Sequence, residues 1–323
     1  MTQVFRGLDQ VPGHLGPTVV TVGMFDGVHL GHRALLGLVV GEARERGLPA
    51  GAVTFDRHPM EVVRPGAQPP LLTTLDDKLG LLAATGLDFI LVLPFTAALA
   101  RVPADEFAGQ VLFGTLGAKA VLVGYRFRFG HRAVGDLQLL TELGEARGVE
   151  VTGADLLVVE GEVVSATRIR GAVARGDVQV AARLLGRPHA LPGRVVEGDR
   201  RGRTLGVPTA NLRVPPGLAV PARGVYAGHL QPADGAGPAG PLPAVTSVGV
   251  NPTFGAAELR VEAHVLDFDG DLYGRLVRVS FEHRLRSELT FPGAEELVAQ
   301  MRDDITASRR LLGVPPPAGG RAL

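Results

Sequence analysis

From residue 18 to about 186, short β-prone runs alternate with helical patterns, and that alternation leaves the N-terminal half few architectures. The runs are Thr18–Val22, Ala50–Phe55, Asp88–Leu93, Lys119–Gly124 and Val149–Val158, with helical periodicity over 32–46, 75–86, 103–116 and 136–147. Thr74 with Asp77 resembles a capping box, and Pro103 suits a first helical position. Alternating β and α units predict a parallel, doubly wound α/β sheet with ligands beyond the strand C-termini. Near Gly186-Arg187-Pro188 the periodicity changes. Short runs at 193–197, 224–230, 243–249, 259–268 and 275–284, separated by Gly/Pro turns, predict a small antiparallel β-barrel. A final helix over 294–312 places Leu297, Met301 and Ile305 on one face, suited to flanking the barrel. The expected organisation is a Rossmann-like domain over 1–186, a barrel domain over 187–314 and a disordered tail over 315–323, with a mobile Pro/Gly/Ala-rich loop between Pro232 and Pro243.

Composition narrows the functions. With 33 basic and 33 acidic residues the formal net charge is zero, so no global field draws the chain to nucleic acid or anionic lipid. No cysteine is present, which removes disulfides and thiolate metal sites. The first residues show no apolar signal core, and the longest apolar run, Phe89–Ala100, contains Pro94 and is too short for a bilayer. The expectation is a cytoplasmic enzyme with small-molecule substrates and neither nucleic-acid nor membrane partners; a homo-oligomer is compatible with this reading.

The first chemistry-bearing stretch runs from Thr18 through Gly23-Met24-Phe25-Asp26-Gly27-Val28-His29-Leu30-Gly31-His32. A strand ends, glycines turn the chain, and two histidines three residues apart stand at a helix N-terminus. Unpaired amides and the helix dipole there favour an anion, and the imidazoles suit phosphate oxygens during phosphoryl or nucleotidyl transfer. A helix cap or packed surface residue is one alternative; half a metal site is another, but neither Cys nor an acidic third ligand follows at suitable spacing.

Three further segments follow later strands. Asp56-Arg57-His58-Pro59 ends one run, and Tyr125-Arg126-Phe127-Arg128-Phe129-Gly130 ends another with aromatic faces that suit either a flat ring or the core. Val164-Ser165-Ala166-Thr167-Arg168-Ile169-Arg170 opens a helix with hydroxyls and arginines fit for polyphosphate oxygens, or for a capped surface helix. In the barrel half, Gly193 to Asn211 holds Gly198, Gly202, Arg203 and Gly206, where backbone can approach a polyphosphate closely. Thr209 and Asn211 flank Ala210 and can aim two hard oxygens at one Mg²⁺.

These stretches together resemble the bacterial bifunctional riboflavin kinase/FAD synthetases over about residues 15 to 313. The first resembles their G-x-F-D-G-x-H-x-G-H nucleotidyltransferase signature, and Gly193–Asn211 resembles their riboflavin kinase G-R-x-L-G-x-P-T-A-N signature. Gly224-Val225-Tyr226, Gly249-Val250-Asn251-Pro252-Thr253-Phe254 and Val261-Glu262-Ala263-His264 are similar to further segments in the family's order. The resemblance implies ATP-dependent phosphorylation of riboflavin to FMN in the C-terminal half and adenylylation of FMN to FAD, with pyrophosphate release, in the N-terminal half. It implies Glu262 as catalytic carboxylate with Mg²⁺ at Thr209 and Asn211. His29 and His32 would be catalytic in the second reaction. Gly23, Phe25, Asp26, Gly27, Ser165, Thr167 and Arg168 would hold ATP phosphates there, as Gly198, Gly202, Arg203 and Gly206 would in the kinase. His58, Tyr125, Phe127 and Phe129 would lie on the flavin side.

The chain departs from the family pattern at Met24, Arg126 and Ala166, and Ser247 stands where an Asn is frequent. Those departures motivate a monofunctional riboflavin kinase with a degenerate adenylyltransferase module as the alternative. A flavin-binding protein without turnover is the alternative from another class, against which Thr209, Asn211 and Glu262 argue.

Overall fold

The computed structural model describes residues 1–13, 15–198, 206–233, 240–251 and 258–315. Gly202, Arg203, Pro252, Thr253, Phe254 and most of the expected mobile loop and tail lie outside these residues. The chain forms two compact units, Met1–Ala166 and Thr167–Leu323.

The first unit is built on a parallel sheet of β1 (Gln3–Arg6), β2 (Thr18–Val22), β3 (Ala50–Phe55), β4 (Phe89–Leu93), β5 (Ala118–Gly124) and β6 (Glu150–Ala154). Their spatial order is β1-β4-β3-β2-β5-β6, with every pairing parallel. The progression runs one way from β2 through β3 to β4 and the other way from β5 to β6. The β2 and β5 C-termini therefore frame the topological switch point, where a doubly wound sheet opens a crevice. Alternate side chains explain why the strands are apolar throughout. Val20 and Val22 on β2, with Phe89, Leu91 and Leu93 on β4, pack against Phe107, Leu112 and Leu140 on one face. Val19, Ile90 and Val92 pack against Leu36, Val39 and Leu82 on the other. A strand covered on both faces has no solvent side to make polar. Each fully buried Leu or Ile here contributes about 2 kcal/mol from burial alone.

The helices on these faces are α1 (Leu30–Arg46), α2 (Pro59–Val63), α3 (Leu75–Ala83), α4 (Ala104–Phe107), which continues as a π-helical stretch over Ala108–Thr115, and α5 (Leu137–Glu145). Thr74 caps α3 by accepting from the Asp77 amide, and Pro103 is the residue just before α4. Strand details differ from the sequence pattern. Gln3–Arg6 is a strand, because its amides and carbonyls complete the exposed edge of β4. The run expected over 149–158 stops at Ala154, and Val158–Val159 (β7) instead pairs with Glu162–Val163 (β8).

The second unit contains α6 (Ala166–Arg175), which begins at the unit boundary, α7 (Val178–Leu185), and antiparallel strands β9 (His189–Val196), β10 (Ala210–Arg213), β11 (Gly224–Pro232), β12 (Leu242–Asn251), β13 (Glu258–Val265), β14 (Leu276–Phe281) and β15 (His283–Arg286). The order β12-β13-β10-β9-β14-β11 closes through a further β11–β12 pairing, giving a six-stranded barrel with β15 annexed to β11. Its interior holds Leu191, Val195, Leu212, Tyr226, Val248, Val261, Ala263 and Phe281. Val178 of α7 joins that core, and by contacts the chain divides after Ala166. A final helix, α8 (Ala294–Leu312), lays Ile305 and Met301 against Val207, Val225 and Val245 on the barrel's outer wall.

Candidate active sites

At the switch point of the first unit, the chain leaves β2 through a tight loop whose residues Phe25 (φ 50°), Gly27 (φ 77°) and Val28 (φ 38°) are left-handed. For Phe and Val that backbone is costly, so the loop must be held by its surroundings. The buried Asp26 carboxylate accepts from the Leu72 and Thr73 amides at 2.9 and 3.3 Å, and the Gly27 amide donates to the Thr73 hydroxyl at 3.2 Å. Asp26 and Gly27 thus fasten the loop to the chain ahead of α3. Gly23 lies flat on the Phe25 ring, where a Cβ would come within 3.0 Å.

His29 then caps α1: its Nδ1 accepts from the His32 amide at 3.2 Å. That contact leaves Nδ1 without a proton, so a neutral His29 carries its N–H on Nε2. The two imidazoles stack, with centroids 3.6 Å apart and planes 15° apart, and Phe25 meets the His32 ring edge-on at 5.2 Å. His32 Nδ1 is enclosed without a hydrogen-bond partner. Burial first, then neighbouring His29 and the Lys78 ammonium, hold the His32 pKa well below the usual histidine value. At neutral pH this ring is therefore uncharged. The Val164 carbonyl lies 3.6 Å from where a Gly31 side chain would begin, so the chain leading to Ser165 passes over the start of α1. Ser165 immediately precedes α6, while Thr167 and Arg168 lie in its first turn.

The other expected residues of this unit divide. His58 caps α2 through Nδ1 and the Met60 amide at 3.1 Å. Tyr125 is exposed, and with Arg126 and Phe127 it lines a groove of about 740 Å³ against α5. Phe129 is committed to the core: it stacks on Phe127 with centroids 5.3 Å apart and packs on Phe107. A stacking face toward a ligand is thus left to Tyr125 and Phe127.

In the second unit the register places the chemistry. Asn211 pairs with Glu262 across β10 and β13, and Glu262 pairs with Ser247 across β13 and β12. Because Val261 and Ala263 fill the barrel interior, Glu262 faces outward. Its carboxylate meets the Arg260 guanidinium at 3.1 Å. Glu262 and Ser247 of this row border a cavity of about 230 Å³ between the barrel wall and α8, together with Thr209, Val225, His264, Arg286 and Met301. Arg286 makes three contacts of 3.0, 3.1 and 2.8 Å with the buried Asp304 carboxylate of α8, closing one side of the cavity. His264 Nδ1 bonds the Pro208 carbonyl at 2.8 Å and so ties β13 to the residue before Thr209. Gly198 lies so close to Asn211 that a Cβ would come within 2.2 Å of its amide. Gly206 (φ 79°) and Thr209 border a second cavity of about 750 Å³, completed by the turn over residues 268–273.

For a divalent cation the test is the donor set. Thr209 and Asn211 provide a hydroxyl and an amide carbonyl on one face of the strand, hard neutral oxygens of the kind Mg²⁺ accepts beside phosphates. Among the described residues no group of three or more His, Asp or Glu side chains gathers around a metal position. The residues thus fit a cation whose remaining ligands come from substrate and water.

Two family models match the chain: FAD synthetase over residues 12–168 and riboflavin kinase over residues 185–312. The bifunctional riboflavin kinase/FMN adenylyltransferase of Escherichia coli K12 is 39% identical over 93% of this chain and 94% of its own. That of Pseudomonas fluorescens is 38% identical over 96% and 97%. The chain belongs to the bifunctional riboflavin kinase/FMN adenylyltransferase family. A solved structure described as a macrolide-efflux protein from Streptococcus pneumoniae is 30% identical, with a TM-score of 0.85 over 95% of this chain and 98% of its own. Among the described residues no helix is long and apolar enough to cross a membrane.

Within this family frame the departures acquire physical meaning. Met24 contributes its backbone carbonyl, which accepts from the Thr54 hydroxyl and from Lys78, so the side-chain change leaves that contact intact. Arg126 is exposed at the groove beside Tyr125. Ala166 is the first residue of α6, and Ser165 and Thr167 keep their hydroxyls on either side of it. Sequence reasoning quoted His264 in a motif without giving it a role, and missed Arg286 and Asp304. His264 was detectable from strand parity with Glu262, whereas the Arg286–Asp304 pair joins elements far apart in sequence.

Proposed function

We propose that the second unit transfers the γ-phosphoryl group of ATP to the riboflavin 5′-hydroxyl and that the first unit transfers the adenylyl group of a second ATP to the resulting FMN. Both activities are those of the family. The observation that supports the residue assignment is the outward row Asn211–Glu262–Ser247, in which Glu262 stands opposite the Asn211 amide and borders the cavity against α8.

In the kinase reaction the nucleophile is a neutral alcohol. Glu262 takes the hydroxyl proton as oxygen attacks the γ-phosphorus and the bond to ADP breaks. Arg260, at 3.1 Å, orients that carboxylate. The cavity between the barrel wall and α8, with Val225, Met301 and Ile305 in its lining, takes the flavin ring edge. The backbone at Gly198 and Gly206 lies against the ATP phosphates, a role the resemblance extends to Gly202 and Arg203 outside the described residues. Thr209 and Asn211 would hold Mg²⁺, which would supply charge neutralisation to the phosphoryl donor.

In the adenylyl reaction the nucleophile is the FMN phosphate, already an anion, so no base is needed. An FMN oxygen bonds the α-phosphorus and pyrophosphate leaves. His29, donating from Nε2, and the uncharged His32 stabilise charge on the α-phosphate, while Ser165, Thr167 and Arg168 receive the pyrophosphate. Gly23 to Gly27 shape the loop on which the triphosphate rests, with Tyr125, Phe127 and His58 on the flavin side. The setting that fits these substrates is the cytoplasm.

The test is purified protein incubated with riboflavin, ATP and Mg²⁺, with FMN and FAD separated chromatographically. FMN followed by FAD is expected. FMN alone removes the adenylyl assignment, and neither product removes both.

A further inference from the structure

Lys78 lies on α3, is 5% exposed, and is one of two lysines in the chain. Its ammonium donates to the Phe55 carbonyl at 2.8 Å and to the Met24 carbonyl at 3.2 Å. Those acceptors terminate two adjacent strands. Phe55 ends β3 and leads into the His58 segment, and Met24 opens the left-handed loop that delivers His29 and His32. Asp26 and Asp56 are the acidic groups that face the ammonium, and His32 is the neighbouring base on which its charge acts.

An ammonium taken out of water costs several kcal/mol unless its site compensates it. Neither Asp26 nor Asp56 repays that cost by direct pairing in the way a structural salt bridge does. Asp26 contacts the Leu72 and Thr73 amides, and Asp56 accepts from the Phe95 amide at 2.8 Å and meets Arg57 at 3.3 Å. The group that gains is the Met24 carbonyl, which also receives the Thr54 hydroxyl at 3.2 Å. Two donors on one carbonyl fix the peptide plane from which Phe25, Gly27 and Val28 must depart with positive φ.

We propose that Lys78 is a positioning residue for adenylyl transfer, clamping the Met24 carbonyl to the end of β3 so that the loop presents His29 and His32 to the α-phosphate. This rests on the adenylyl reading of the first unit. Lys78 is walled off beneath the loop and acts through it. Its loss therefore lowers the rate of the bound complex more than it weakens binding of either substrate.

The experiment is Lys78→Met, which keeps length and removes both donors. FMN adenylylation is measured as kcat and KM, beside riboflavin phosphorylation and peptide-level amide hydrogen exchange. Expected are a kcat lower by tenfold or more, KM for FMN and ATP within threefold, and an unchanged kinase rate. Exchange should be faster over residues 23–29, with strands 18–22 and 50–55 protected as before. An unchanged kcat, or a loss expressed only in KM, overturns the proposal. Loss of protection in the strands calls for Lys78→Gln, which retains an uncharged NH₂ donor group; strand opening in that variant as well reduces Lys78 to a fold-holding residue and overturns it. Absence of FAD from the wild-type protein refutes the adenylyl reading, whereas the exchange pattern still decides whether Lys78 clamps the loop.

Discussion

Asn211 and Glu262 are directly opposed across the β10–β13 ladder, on the outer face of the barrel. Such pairs lie about 5 Å apart at Cβ, close enough for the proposed cation ligand and the proposed base to serve one substrate. Glu262→Gln should lower riboflavin phosphorylation by about two to three orders of magnitude, because a carboxamide cannot take the proton. FMN adenylylation by the same chain should be unchanged. Equal kinase rates in variant and wild type would refute the base.

The stacked histidines give the reciprocal test. His29 both caps α1 and offers Nε2, so His29→Asn keeps a good cap while removing the imidazole. Combined with His32→Ala, it should lower FAD formation by about two to three orders of magnitude, the range found for single charge-stabilising donors. FMN production should persist. An undiminished FAD rate would eliminate both residues from the chemistry.

Arg286 and Asp304 hold α8 beside the cavity. Asp304→Ala leaves a guanidinium without its buried carboxylate and should destabilise the second unit by about 3 kcal/mol. Calorimetry should show that unit melting earlier, and KM for riboflavin should rise because the α8 side of its cavity loosens. A variant with wild-type melting and KM would show that the pair is incidental.

His189 supplies a pH dependence. It is buried, its Nε2 bonds the Ala219 carbonyl at 2.7 Å, and burial pushes its pKa from 6.5 down to about 4. Since the folded form resists the proton that the unfolded chain accepts, stability is fully present above pH 6.5 and is lost as pH falls toward 4. The gap corresponds to about 3 kcal/mol. Unfolding of the second unit followed between pH 7 and 4 should show this slope, and His189→Gln should flatten it. An equal slope in the variant assigns the acid lability elsewhere.

Much of the architecture could be read along the chain because its signals are local. The β2 run, the glycines after it and the helical period of α1 need only neighbouring residues to declare a strand, a turn and a helix. Glu262 was found as part of a contiguous motif, as were Thr209 and Asn211. Phe129 shows the limit. An aromatic after a strand serves equally for a ligand or a core, and only the position of Phe107 decides in favour of the core. Gln3–Arg6 shows another, since a four-residue segment becomes a strand only when β4 offers an edge.

The sequence by itself determined the order of elements, the α/β-then-barrel division and the residue types at both sites, since periodicity and motif spacing act over a few residues. Tertiary structure decided which of those residues meet. Strand order 1-4-3-2-5-6 places the histidine loop at the switch point. Barrel register sets Glu262 between Asn211 and Ser247, and packing buries Lys78 beneath the Met24 carbonyl. The physical reason is that cross-strand register and burial arise from contacts between residues tens of positions apart. No local pattern encodes the low dielectric that keeps His32 uncharged or the carbonyls that hold a buried ammonium.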